Sequence, residues 1–117
     1  MAYMLLVVEP PEHRPGRTER EGHEEYERMV RFSDELKSRG LLTMAQSLKS
    51  AKAGARVTQR GSSSSVLDGP FSEAKELIGG FFLLTCETRA QAIEIARQCP
   101  AAQWATIEVR ELGPCFQ

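Results

Sequence analysis

Among the 117 residues of this chain, the side chains whose type and setting suit chemistry are one aspartate beside a proline, two histidines and a Lys-Glu pair. The aspartate is Asp68, in the run Asp68-Gly69-Pro70-Phe71. A carboxylate aimed into a pocket and partly buried can exchange protons near neutrality, the requirement for a general acid or base. The same run also describes a tight corner, in which Asp-Gly favours a turn, proline fixes φ and the phenylalanine plugs the core. The corner suits Gly69, Pro70 and Phe71; for Asp68 both readings stay open. Lys75 and Glu76, a few residues on, either orient an anionic ligand or form a solvated ion pair, and such pairs stabilise little.

His23 is a second candidate for proton transfer. It stands among Glu21, Glu24 and Glu25, a setting that equally describes the exposed start of a helix. Glu19 and Glu27 lie at helical spacing from His23, yet charged helix surfaces produce such spacings often, so no metal ion or other cofactor is expected. His13 lies in a proline-rich loop and offers less. Gly79-Gly80 admits a ligand close to the backbone or marks a β-bulge, and it is not a phosphate loop. Cys86, Cys99 and Cys115 have neither Cys-x-x-Cys spacing nor a nearby histidine, which suggests buried or idle thiols.

Composition narrows the field. Fifteen basic residues against 16 acidic ones give a formal charge of -1, and no block of one sign offers a continuous face to phosphate backbones. Direct nucleic-acid binding is not expected. Lys49, Lys52, Arg56 and Arg60 form a local basic cluster, read first as dispersed surface charge and second as a patch that attracts an acidic ligand or partner. The apolar run from Met4 to Val8 is too short for a signal segment or a membrane span, so a cytoplasmic protein away from membranes is expected.

The elements that must position these residues follow from periodicity. Residues 3–9, apolar in succession up to Val8, stop at Pro10-Pro11, as a strand buried on both faces does. Thr18 with Glu21 three residues later predicts a capping box, opening a helix over 19–39 whose stripe is Tyr26, Met29, Val30, Ser33 and Leu36; Gly40 ends it. Strands are predicted at 41–49, 55–60 and 66–67, with Gly61 and the serine run as a turn. Residues 78–86 are again apolar on successive positions. Thr88 with Gln91 predicts a second capped helix with Ala92, Ile93 and Ala96 inside, ending at Pro100. A last strand, 104–112, turns Ile107 and Val109 inward and Thr106, Glu108 and Arg110 outward. Tyr26, Phe81, Phe82 and Trp104 suit a core or an interface between copies.

The order predicts a single α+β domain, 1–117, with a ferredoxin-like βαββαβ plan and an extra β-hairpin. In that plan the first and penultimate long strands are central, and these are the two that are apolar on both sides. Two helices cover one face of the sheet. The other face predicts a homodimer packed sheet to sheet.

Five features in fixed order, Tyr3-Met4-Leu5-Leu6, Asp68-Gly69-Pro70-Phe71, Glu73 with Lys75-Glu76, Gly79-Gly80 and Ile107-Glu108-Val109-Arg110, resemble the DGPF branch of the YCII-related family. The resemblance covers nearly the whole chain and implies a ferredoxin-like domain in a dimeric α/β-barrel. It also implies two directions for function. One is enzymatic, since a His and Asp pair has drawn that suggestion for the YCII branch; the other is a link to sigma factors of RNA polymerase. The chain departs from the first pattern: Met29 and Val30 stand at mid-helix where a histidine would be, and Gln46 stands before Leu48 where relatives often carry a carboxylate. The expectation is therefore a small-molecule-binding dimer with lyase- or isomerase-like, metal-independent acid/base chemistry near Asp68, with Lys75, Glu76 and Gln46 as ligand contacts. The alternative is a non-catalytic regulatory module.

Overall fold

The computed structural model describes residues 2–116. β1 (Tyr3–Glu9), α1 (Glu19–Ser38), β2 (Leu42–Ser47), β3 (Ala55–Arg60), β4 (Ser63–Asp68), β5 (Leu77–Leu84), α2 (Arg89–Gln98) and β6 (Thr106–Glu111) follow in that order, with short 3-10 turns at Ala51–Ala53 and Pro100–Gln103. Four strands form an antiparallel sheet in the order β2-β5-β1-β6, and β3 and β4 pair separately. The two doubly apolar strands, β1 and β5, are the central ones, and the order is compatible with a ferredoxin-like fold.

Strand alternation divides the sheet into two unlike faces. Tyr3, Leu5 and Val7 of β1 and Phe82 and Leu84 of β5 are buried in one cluster with Phe32 and Leu36 of α1 and Ala92, Ile95 and Ala96 of α2. Ile107 and Val109 join that cluster from β6, so both helices lie on this face. Met4, Leu6, Phe81 and Leu83 point the other way and are only half-buried, because no helix of the chain covers them. Among the described residues no helix is long and apolar enough to cross a membrane.

Both helices start as their sequences predict. The Glu21 amide donates to the Thr18 hydroxyl at 3.1 Å and the Thr18 amide donates to the Glu21 carboxylate at 2.8 Å, which closes the capping box. The Gln91 amide likewise donates to Thr88, but the Gln91 side chain accepts from Glu87 instead of from the cap residue. Gly40 ends α1 with φ +71°, a conformation that side chains disfavour.

Some expectations need correction. The core stripe of α1 is Met29, Phe32 and Leu36, while Tyr26 and Val30 are exposed on a neighbouring stripe. In α2 Ile95, not Ile93, is the buried isoleucine. The serine run is strand: Ser63, Ser64 and Ser65 pair with Arg60, Gln59 and Thr58, leaving Gly61-Ser62 as the turn. Backbone pairing across the hairpin outweighs the poor β-propensity of serine. Trp104 closes the second 3-10 turn before β6 begins. Phe71 does not plug the core; its ring packs on Gly54 and under the Arg56 guanidinium, 4.1 Å from the ring centre.

Candidate functional site

A cleft of about 470 Å³ runs between α1 and β2. Its long wall comes from the second stripe of α1, Tyr26, Val30, Ser33 and Lys37, facing Met44 and Ala45 of the edge strand. One end is closed by charge: Glu9, Arg14, Arg17 and Glu25. The combination of a largely apolar trough with a few convergent polar groups is the usual form of a small-molecule site.

Glu9 enters this site through strand parity. It follows Tyr3, Leu5 and Val7 on the core face of β1 and is 7% exposed, the one buried charged residue among those described. Burying an unpaired carboxylate is costly, so it must have partners. Arg14 Nε donates to one Glu9 oxygen at 2.9 Å and Nη2 to the other at 3.4 Å. The same guanidinium donates to the Leu48 carbonyl at 2.8 Å and the Gly79 carbonyl at 3.1 Å, tying the β1–α1 loop to β2 and β5. Space for the carboxylate is made by Gly79, where a Cβ would stand 2.5 and 2.6 Å from the Glu9 oxygens. The register of β1 against β5 slips at this point, with Val7 opposite Gly80 and Val8 opposite Ile78, so the glycine pair is a bulge.

Glu25 is the second carboxylate. One of its oxygens accepts from His13 Nε2 at 2.8 Å and from Arg17 Nη1 at 2.6 Å; the other lies 3.1 Å from the same His13 nitrogen. Side chains of His13 and Glu25 are each 18% exposed, so the pair is shielded but not sealed. His13 does not line the cleft itself. Its ring stacks on Trp104, with centroids 5.9 Å apart and planes 7° from parallel, and Arg28 lies 5.4 Å from the Trp104 centroid. Arg17 reaches Glu25 across Gly22, where a Cβ would stand 3.0 Å from Arg17 Nε. A glycine inside a helix costs about 1 kcal/mol relative to alanine, and here it makes room for the guanidinium.

This arrangement can hold a polar group of a ligand against Glu25 and Arg17, with an apolar portion along Tyr26, Val30 and Met44. The Glu25 carboxylate, fixed by His13 and Arg17, presents a hydrogen-bond acceptor at the cleft wall. Among the described residues no group of three or more His, Cys, Asp or Glu side chains is set to hold a metal ion.

The sequence-predicted residues fall in different places. Gln46 lines the cleft on β2. Asp68 is the last residue of β4, exposed, paired with Ala55 across the hairpin and outside the cleft; its side chain has no hydrogen-bond partner among the described residues. It is thus neither shielded in a pocket nor capped by backbone amides. Lys75 and Glu76 are exposed in the loop before β5. His23 is exposed at the start of α1, 3.8 Å from Glu19. Gly69 does shape a corner, because a Cβ there would collide with the Ala51 carbonyl oxygen, and its amide donates to Gly54 at 2.9 Å.

The sequence singles out none of Glu9, Arg14, Arg17 and Glu25 as a site residue, Glu25 figuring there only as a neighbour of His23. The parity of Glu9 with Tyr3, Leu5 and Val7 was a usable signal. Glu25 is one of five glutamates between residues 19 and 27, and only the fold distinguishes it from the others.

Fold and cleft together define a small α+β sheet domain, compatible with the ferredoxin-like class, with a ligand-sized trough between its first helix and an edge strand. The chain belongs to the YCII-related domain family, which matches residues 1–115. It is also similar to an uncharacterized protein of Rhizobium meliloti (strain 1021), 42% identical over 50 residues. That match spans 41% of this chain and 40% of the relative, so the shared segment is less than half of either.

Proposed function

We propose that the protein is a cytoplasmic homodimer of the DGPF type that binds a small organic molecule in the α1–β2 cleft and moves a proton on it, in the manner of a lyase or isomerase, without a bound metal. The observation that carries this reading is the Glu25 carboxylate: it stands at the charged end of the cleft and is gripped by His13 at 2.8 Å and Arg17 at 2.6 Å. A carboxylate held in one orientation by His13 and Arg17 beside a ligand-sized space suits the placement of a general base. The acid/base centre in this reading is Glu25 and His13, in the cleft, in place of the Asp68 expected on the hairpin, and a thermal-shift screen decides between them. The homodimer draws its support from Met4, Leu6, Phe81 and Leu83, an apolar sheet face that the chain's own helices leave half-covered.

The test is a thermal-shift screen against a metabolite library on wild type, Glu25→Gln and Asp68→Asn. A binder stabilises the folded state through mass action. A compound that raises the melting temperature of wild type and Asp68→Asn, and not of Glu25→Gln, supports the assignment. A compound whose effect is lost in Asp68→Asn and kept in Glu25→Gln returns the site to the hairpin.

A second reading, a non-catalytic interaction module, is favoured by the β3–β4 hairpin, every residue of which is exposed. It predicts that no small molecule shifts the wild type.

A further inference from the structure

The β3–β4 hairpin is an arm without support. Its strands of six residues each are exposed throughout, and neither makes substantial contact with another element. The radius of gyration, 15.9 Å, exceeds the roughly 13 Å of a compact chain of this length, as a projecting arm requires. A lone two-stranded hairpin is marginal in water. What fixes this one is its root, where Gly69 bonds to Gly54 and Phe71 lies beneath Arg56.

The two faces of the arm differ. Val57 and Val66 are directly opposed and share a face with Ala55 and Asp68, while Arg56, Arg60 and Leu67 lie on the other. Phe71 lies under Arg56 on one face, where Leu67 is still 57% exposed; on the other face Val57 is 67% and Val66 65% exposed. The cleft presents the complementary lack: Tyr26 is 59% exposed and Val30 39%. Charge matches as well. From Lys49 to Asp68 four basic side chains stand against one acid, whereas α1 carries seven acids against four bases. Glu19, Glu27 and Asp34 border the Tyr26–Val30 stripe at helical spacing.

We propose that the β3–β4 arm of each copy lies across α1 of a second copy, Val57 and Val66 covering Tyr26 and Val30, so that the cleft is closed only by the partner. The inference rests on the homodimer reading and adds to it a reciprocal arm exchange, in which residue i meets j and j meets i about a twofold axis. Arg56 and Arg60 point away from α1 in this pose, so it is the net positive charge of the arm and its root, rather than specific ion pairs, that draws it toward the acidic helix, an attraction that weakens as salt rises. The partner's arm thereby excludes water from the cleft and gives the apolar wall its second side.

The experiment mixes two single variants in a Cys115→Ser background, since Cys115 is the exposed thiol and Cys86 and Cys99 are buried. One chain carries Val66→Cys and the other, distinguished by a size tag, carries Val30→Cys. Mild oxidation is expected to give a disulfide-linked heterodimer at about tenfold or more the yield of a control pair in which Arg97→Cys on α2 replaces Val66→Cys, because contact raises the effective concentration of the two thiols. The excess should fall when Val57→Asp is added to the arm chain. A yield at the control level in a protein that sediments as a dimer overturns arm exchange and leaves the sheet-to-sheet dimer standing. A monomer at micromolar concentration overturns the homodimer reading and the arm exchange with it.

Discussion

Replacing Gly79 by alanine probes the buried charge that anchors the cleft. The new Cβ would stand 2.5 and 2.6 Å from the Glu9 oxygens, closer than unbonded atoms tolerate. Glu9 belongs to the buried strand β1 and its side chain is 9% exposed, so it has little room to yield except by leaving Arg14. Forcing a group into a filled site costs about 1–3 kcal/mol. Losing hydrogen bonds to a charged partner costs about 1.5–3 kcal/mol. Arg14 retains its bonds to the Leu48 and Gly79 carbonyls, which limits the second loss. The expected total is about 2–4 kcal/mol. For 117 residues the unfolding entropy near the midpoint is about 0.25 kcal/mol per degree, so the melting temperature should fall by roughly 8–16 °C. Calorimetry or circular dichroism on heating reads this directly. A double-mutant cycle makes the cause specific: in a Glu9→Ala background the carboxylate is gone and Gly79→Ala should cost less than about 1 kcal/mol. A single variant that melts within about 2 °C of wild type, or additive effects in the cycle, would refute the claim that Gly79 exists to admit Glu9.

Gly22→Ala should raise the melting temperature by up to about 4 °C through helix propensity, while weakening any cleft ligand because Arg17 is displaced from Glu25; a variant that gains stability and keeps full binding contradicts the role given to Arg17. Thr18→Ala removes the cap of α1 and should cost about 1 kcal/mol in urea unfolding. The backbone and side chain of Thr18 hold the Glu21 carboxyl below its ordinary 4.5, so the stability it contributes is complete above that pH and is lost as pH falls through the lower folded value; Glu21→Gln should flatten that acid limb. Burial pushes the Cys99 thiol up to about 11 and also raises Cys86, so iodoacetamide at mildly alkaline pH should modify Cys115 alone in the native protein and all three cysteines in denaturant, as mass spectrometry would count.

The fold was largely legible because its signals are local. Capping boxes at Thr18 and Thr88, the Pro10-Pro11 stop and successive apolar residues in β1 and β5 each dictate geometry within a few residues, and together they leave few arrangements of the sheet. Local signals do not decide a side chain whose fate depends on distant partners. Tyr26 and Val30 match helical periodicity as well as Phe32 does, yet only Phe32 meets Phe82, edge to face at 5.4 Å. The site was less legible for the same reason. Asp68 stands in the most recognisable motif, but that motif spends its glycine and phenylalanine on the root of the arm. Glu25 is unremarkable in a run of glutamates until the β1–α1 loop folds back and sets His13 and Arg17 on it. Gln46 is the one predicted ligand contact that the cleft includes.

The proposed proton transfer by Glu25 can be tested on the compound that most stabilises the wild type. Incubated with the protein in deuterium oxide, an acidic C–H of that compound should exchange for deuterium, followed by loss of its proton resonance. Removing a positioned general base typically costs a factor of about 10²–10⁴, so Glu25→Gln should slow exchange at least about 100-fold while Asp68→Asn leaves it near the wild-type rate. Exchange that proceeds equally in Glu25→Gln, or that fails in Asp68→Asn alone, would contradict the placement of the acid/base centre in the α1–β2 cleft.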